Sequence, residues 1–175
     1  VIGEYVLEFP NGTYQYQNYS HTRLLELSAE NEDVLKCLLQ QKGSDYSLWV
    51  VWNKIYHKSI WEKALPYLKQ QKRHLIMCED ILYSTVLYAF SERLRSVKGD
   101  YVFYYKDEGS STSRASLTYD KILKNINDVS YVFECIYSIY QELGILEVYR
   151  KYICAWHLVL MFSWFLSIIE IGFLW

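Results

Sequence analysis

Three short segments hold the side chains best suited to chemistry, and the first is a pair of neighbouring acids. Glu79 and Asp80 follow the apolar residues 75–77 and open a predicted helix. A carboxylate fixed at such a junction can accept the proton of a hydroxyl nucleophile, so Asp80, with Glu79 beside it, is a candidate general base. The alternative is that one of the two carboxylates caps the helix by accepting a backbone N–H, which is the commoner role.

The second segment combines a tryptophan, an amide, a lysine and a tyrosine: Trp52, Asn53, Lys54 and Tyr56. These residues end or follow the apolar run Leu48 to Trp52, which is typical of a strand buried on both faces. Polar groups at the end of a strand in an α/β protein commonly line a ligand crevice. Here a lysine can neutralise a phosphate and a tryptophan can stack on a sugar or a base. The alternative places Trp52 in the core and Lys54 at a solvated strand end.

The third segment is a predicted strand, Asp100 to Tyr105, that leads into a polar loop rich in serine and threonine. Tyr105, Lys106, Ser111 and Thr112 are candidates to approach a phosphate or a sugar, because loops carried by a rigid scaffold often hold binding groups. The alternative is a solvated connection without a ligand.

Composition and motifs exclude several classes of function. The 18 basic and 20 acidic residues give a net charge of −2, so the chain lacks the basic field of a nucleic-acid binder. It has no glycine-rich phosphate loop and no His-Glu-x-x-His, which argues against nucleotide-binding P-loops and against zinc. The four cysteines are far apart, which indicates free thiols in a reducing compartment.

The elements around these segments alternate in a way that predicts an α/β protein with a mostly helical C-terminal third. The predicted strands are Glu4 to Phe9, Thr13 to Tyr19, Leu48 to Trp52 and Asp100 to Tyr105, the first two joined in a hairpin at Asn11-Gly12. The predicted helices are Ala29 to Gln41 capped by Ser28, Ser59 to Pro66, Glu79 to Leu94, Leu117 to Ile126, and Asp128 to Leu143 stopped by Gly144.

The composition changes near residue 151, which divides the chain into a main part, 1–150, and an apolar tail, 151–175. Residues 152–169 carry no charge except a possible one on His157. This stretch is at the lower limit for a membrane-spanning helix, and Arg150 and Lys151 would mark its cytoplasmic side. Ser163, Ser167 and Glu170 favour a helix that lies at a membrane surface or packs on protein.

Taken in order, "SLWVVWNKIYHKSIWEK", "HLIMCEDILYS" and "YVFYYKDEGSSTS" resemble the C-terminal half of a family 2 glycosyltransferase with the GT-A fold. The resemblance is strongest over residues 48–113. It implies part of a GT-A-like mixed sheet with flanking helices. It also implies inverting transfer of a sugar from a nucleotide-diphosphate donor to a saccharide or a lipid-linked acceptor.

The resemblance also implies a role for each candidate residue. Asp80 corresponds to the catalytic base, with Glu79 next to it. The acceptor side of the cleft corresponds to four residues of the second segment: Trp52, Asn53, Lys54 and Tyr56. The side of the donor diphosphate corresponds to four residues of the third segment: Tyr105, Lys106, Ser111 and Thr112.

One departure from the family pattern concerns the metal. The family's Asp-x-Asp holds Mg²⁺ or Mn²⁺ on the diphosphate, and no two aspartates in this chain are spaced by one residue. We therefore expect this chain to bind no metal ion by itself and to be inactive without the N-terminal, nucleotide-binding half. The expected location is the cytoplasm, at the inner face of a membrane. The competing hypothesis is a non-enzymatic, membrane-associated or interaction protein derived from a glycosyltransferase remnant.

Overall fold

The computed structural model describes residues 1–17, 27–105 and 118–172. These residues form a mixed α/β structure, as the sequence predicts at the level of fold class. The strands are β1 (Ile2–Glu8), β2 (Tyr14–Gln17), β3 (Ser28–Glu30) and β4 (Arg93–Tyr105). The helices are α1 (Glu32–Gln40), α2 (Tyr46–Trp49), α3 (Lys58–Leu68), α4 (Glu79–Ala89), α5 (Tyr119–Glu142) and α6 (Leu146–Gly172).

The four strands form a sheet in the order β2-β1-β4-β3. The predicted hairpin is confirmed: β1 and β2 pair antiparallel, and Gly12 turns the chain with a φ of 74°. The side-chain oxygen of Asn11 accepts hydrogen bonds from both the backbone N–H and the hydroxyl of Thr13. β1 pairs parallel with β4, which joins the start of the chain to the strand that carries Tyr104 and Tyr105.

The predicted helix from Ala29 begins later, at Glu32, because Ser28–Glu30 pair antiparallel with Arg93–Arg95 of β4. Ser28 therefore does not cap the helix, and Asn31 holds the N-cap position without a side-chain hydrogen bond. The same pairing ends α4 at Ala89, five residues before the predicted end. In both places a strand contact between distant segments overrides the local helical pattern.

The predicted buried strand Leu48 to Trp52 is wrong: Tyr46–Trp49 form the short helix α2, and a turn follows. Local hydrogen bonds fix this conformation. The Ser47 hydroxyl donates to the carboxylate of Asp45, and the Trp49 indole donates to the carbonyl oxygen of Gly43. A short apolar run does not distinguish a buried strand from a buried helical turn.

Two other helices, α3 and α5, differ from the prediction in detail. α3 runs through Pro66 to Leu68, and its N-cap is His57, whose ring nitrogen accepts the backbone N–H of Ser59. The two helices predicted over 117–143 are one continuous helix, α5. Gly144 ends it as predicted, with a φ of 70° and a hydrogen bond from the N–H of Ile145 to the carbonyl of Tyr140.

The core lies where α1, α4, α5 and the first turns of α6 pack together. Trp156 is fully buried there, with its ring edge-on to Phe133 at 6.1 Å between centroids. α6 runs without a break across position 151, where the composition changes. Its segment Leu146–Ile169 has a mean hydropathy of 1.8, so by length and composition alone it is able to cross a membrane.

Candidate functional site

Asp80 lies in the first turn of α4 and connects that helix to the loop after α2. The helix begins after Cys78, which holds the N-cap position with a φ of 64° and makes no side-chain capping bond. The Asp80 carboxylate instead interacts with the backbone of Val51, in the turn after α2. Asp80 therefore does not cap its own helix, which was the main alternative to a role as a base.

The surroundings of Asp80 raise the pKa of its carboxyl group to about 6. Partial burial is the main cause, and the neighbouring charge of Glu79 adds to it. The ammonium group of Lys54 and the hydrogen bond to Val51 act in the opposite direction. A carboxylate with this pKa is largely ionised at neutral pH yet more basic than an ordinary aspartate, as a general base requires.

Lys54 is held by oxygen atoms of its own loop. Its ammonium group donates to the carbonyl of Ser47 at 2.6 Å, to the side-chain oxygen of Asn53 at 2.8 Å, and to the carbonyl of Val50. Burial lowers the pKa of Lys54, while the carboxylates of Asp80 and Asp45 oppose that shift. Lys54 therefore fixes this loop through three hydrogen bonds and interacts electrostatically with Asp80, and with a pKa of about 7 it is only partly protonated at neutral pH.

Trp52 and Tyr104 bring the second and third segments together. Their rings stack with centroids 5.1 Å apart and an interplanar angle of 27°. Trp52, Asn53 and Lys54 line a cavity of about 200 Å³ with Val97 and Val102, and Asp80 is not among the described residues of its lining. One side of Trp52 is thus covered by Tyr104.

The donor-side candidates are only partly described. Tyr105 ends β4 with 57% of its surface exposed. Lys106, Ser111 and Thr112 lie outside the described residues.

Tyr56 is half-buried and lines a cavity of about 490 Å³ together with Lys54, with its hydroxyl group buried. Burial raises the pKa of its hydroxyl group, and the charge of Asp80 contributes in the same direction. This hydroxyl makes no hydrogen bond of good geometry to the described residues. Ser84 faces it but donates to the carbonyl of Trp49 at 2.6 Å.

Trp61 and Tyr83 are not among the predicted site residues, although Trp61 contacts Tyr56 and Tyr83 follows Asp80 on the same helix. The ring centroid of Trp61 is 6.1 Å from that of Tyr56 and 6.5 Å from that of Tyr83. Tyr83 follows Asp80 by three residues in α4, a spacing that puts two side chains on one helix face. That spacing was visible in the sequence. The approach of Trp61, from another helix, was not.

The described residues do not fit the metal ion that the resemblance implies, because they contain no group of three His, Cys, Asp or Glu side chains able to hold one. Comparison of the chain with protein-family models, curated proteins and solved structures finds no match. Function therefore has to be inferred from the geometry of the site itself.

Proposed function

We propose that this chain is the acceptor-side half of an inverting glycosyltransferase with Asp80 as its catalytic base. The resemblance over residues 48–113 suggests the reaction. The observation that carries the proposal is the position of Asp80: a partly buried carboxylate in the first turn of α4, where Cys78 and not Asp80 holds the N-cap position, with Tyr83 one helical turn further on. The fold supports only the coarser statement that the chain is mixed α/β.

In this mechanism Asp80 removes the proton of an acceptor hydroxyl group. The hydroxyl oxygen attacks the anomeric carbon of the donor sugar, and the nucleotide diphosphate leaves from the opposite side. Lys54 keeps the loop of Val51 and Trp52 in place, so that the base is fixed relative to the acceptor. The donor is bound by a separate nucleotide-binding half.

The test combines nucleotide binding with turnover. Calorimetric titration with UDP and other nucleoside diphosphates, with and without Mn²⁺, should show no binding to the folded chain alone. With the nucleotide-binding half of a family 2 enzyme added as a separate chain, we expect turnover of a nucleotide sugar. Asp80→Asn should lower that turnover about 10³-fold, the usual contribution of a general base, whereas Glu79→Gln should leave most of it.

Two results would contradict the proposal in different ways. Metal-dependent UDP binding by the chain alone, with turnover that Asp80→Asn abolishes, would mean that the chain is a complete enzyme and not a half. Equal turnover by wild type and Asp80→Asn would remove Asp80 as the base.

The exposed face of α6 supports a second proposal, that the chain lies on a membrane surface. Large apolar side chains along its C-terminal half are mostly exposed to solvent: Leu158, Val159, Phe162, Phe165, Leu166 and Ile169. α5 runs alongside this half, with the Ser130 hydroxyl 3.7 Å from the sulfur of Met161, and it carries Lys121 and Lys124. Because charged residues of α5 are costly in hydrocarbon and α5 lies alongside α6, a position at the surface fits better than a span.

Vesicle binding tests this second proposal. We expect the chain to co-sediment with vesicles of phosphatidylcholine and phosphatidylglycerol, and Phe162→Glu to reduce the bound fraction strongly. Val148→Glu is the matched control, because Val148 is on the same helix with 60% exposure, comparable to the 64% of Phe162. The proposal would be contradicted if Phe162→Glu and Val148→Glu reduced vesicle binding equally. It would also be contradicted if the wild-type chain did not bind vesicles.

A further inference from the structure

Trp61 and Tyr83 form an exposed aromatic pair that the proposed mechanism does not use. Trp61 belongs to α3 and Tyr83 to α4, and their exposed fractions are 37% and 36%. Their ring centroids are 6.5 Å apart with an interplanar angle of 50°. Two large rings from separate helices thus form one partly open surface, here called the aromatic platform.

The aromatic platform lies on the Asp80 side of the molecule. Tyr83 is one helical turn after Asp80, so the two side chains project from the same face of α4. Trp61 also contacts Tyr56, whose hydroxyl group lies within the electrostatic influence of Asp80. Trp61 therefore contacts one residue that is a helical turn from Asp80 and one residue whose hydroxyl group is electrostatically coupled to Asp80.

Trp52, the aromatic residue that the resemblance assigns to the acceptor, is less open to a sugar ring. Tyr104 already stacks on it at 5.1 Å, whereas the Trp61 and Tyr83 rings are tilted relative to each other. In a stacked pair each ring covers one face of the other, whereas in a tilted pair more of each ring face is open to a ligand.

The chemistry of the platform matches a sugar ring. A pyranose has an apolar C–H face, which packs on the electron-rich face of an aromatic ring, and a polar rim of hydroxyl groups. The indole N–H of Trp61 and the hydroxyl group of Tyr83 are polar groups suited to that rim.

We infer that Trp61 and Tyr83 form the surface on which a sugar ring of the acceptor stacks, so that the acceptor of this site is a saccharide whose hydroxyl group reaches Asp80. This inference rests on the proposed function and extends it. The acceptor is then a saccharide, and Trp61 and Tyr83 are the residues that bind it.

The test measures saccharide binding without any turnover. Saturation-transfer NMR is recorded with a panel of methyl pyranosides and short glucose and galactose oligosaccharides. We expect at least one of them to bind wild type, and Trp61→Ala to weaken that binding about tenfold, in line with the energy of one aromatic contact. Trp61→Phe should retain part of the affinity. Tyr119→Ala, which removes a 56% exposed ring from α5, is the control and should have no effect.

Circular dichroism of each variant shows whether it is folded, which the partial exposure of Trp61 leads us to expect. Equal binding by Trp61→Ala and wild type would overturn the inference. So would the absence of binding by every saccharide to the folded wild-type chain.

The two experiments distinguish an error in the aromatic platform from an error in the proposed function. In the turnover assay with the added nucleotide-binding half, Asp80→Asn could abolish activity while Trp61→Ala leaves saccharide binding unchanged. The assignment of the aromatic platform would then be wrong, and the proposed function would be retained. If Trp61→Ala weakens saccharide binding but the Asp80→Asn variant is as active as wild type, Asp80 is not the base. The assignment of the aromatic platform is then retained.

Discussion

The site region, residues 43–56 and 78–84, differs in its interactions from the helical pair α5–α6. In the site region the ionisable groups of Lys54 and Asp80 are withdrawn from water, and Cys78 holds a left-handed conformation. The helical pair is stabilised chiefly by apolar side chains such as Phe133 and Trp156, both fully buried. Burial of ionisable groups and backbone strain both reduce the stability of a protein. Such features are concentrated at binding and catalytic sites. The contrast is the one expected if the proposed function lies in the site region and the helical pair supplies stability.

The largest expected effect is where the two regions meet. Gly43 has a φ of 80°, and a Cβ atom there would lie 2.1 Å from the indole nitrogen of Trp156. Because Trp156 is fully buried, it has little room to move. We expect Gly43→Ala to reduce the free energy of unfolding by about 3 kcal/mol, through overpacking and backbone strain together. Urea denaturation measures this change.

Gly144→Ala is the matched control. Gly144 has a similar φ of 70°, but no atom lies within 4 Å of the position that a Cβ atom would take there. The control should therefore lose only the cost of the left-handed conformation, about 1 kcal/mol. If Gly43→Ala and Gly144→Ala lower the free energy of unfolding equally, the contact of position 43 with Trp156 adds no cost.

The next effect concerns the cation of the site region. Lys54→Met removes an ammonium group that donates to three oxygen atoms of the loop. Of these, the carbonyl oxygen of Ser47 keeps a second donor, the side-chain amide of Asn53 at 3.3 Å. We expect a loss of about 2 kcal/mol in the free energy of unfolding, since buried polar groups without partners are costly. The pKa of Asp80 should rise further, because the charge of Lys54 lowers it. Carboxyl-carbon NMR measures that pKa.

The same substitution at Lys58 provides the comparison. Lys58 is 87% exposed and pairs with Glu62 at 3.4 Å on the surface of α3. Lys58→Met should change the stability by less than about 0.5 kcal/mol, as is usual for exposed pairs. Equal losses at Lys54 and Lys58 would show that the loop does not depend on the buried ammonium group.

The site region was also the harder one to predict. The sequence was sufficient for the hairpin at Asn11-Gly12 and the helix end at Gly144, because both depend on local turn chemistry. It was not sufficient for residues 48–52, where hydrogen bonds from Ser47 and Trp49 produce a helical turn in an apolar run. The role of Asp80 as a base was inferred from its position at the start of a helix, and it stays a prediction. The interaction of Asp80 with Val51 and the contact between Trp61 and Tyr83 join separate segments, which no local pattern specifies.

The smallest expected effect has the opposite sign. The folded-state pKa of Asp80, about 6, is above its ordinary value of 3.8, so the folded chain binds a proton more readily than the unfolded chain. This carboxyl group therefore destabilises the fold above pH 6, and stability should rise as the pH falls from 6 towards 4. Asp80→Asn should remove that part of the pH dependence. It should also increase the free energy of unfolding at a pH of about 7.5 by about 1 kcal/mol, a value reduced by solvent screening of a partly exposed group.

Urea denaturation of wild type and Asp80→Asn across this pH range isolates the contribution of Asp80, since the other titrating groups are common to both chains. Glu79→Gln is the control: it keeps the Asp80 carboxyl group but removes a charge that raises its pKa, so its pH dependence should persist and move to lower pH. Parallel curves for wild type and Asp80→Asn would mean that Asp80 is solvated like an ordinary surface acid. The site region would then share the ordinary electrostatics of the rest of the molecule. A gain in stability on losing the carboxylate, together with a loss of turnover, is what a base kept for function at a cost in stability requires.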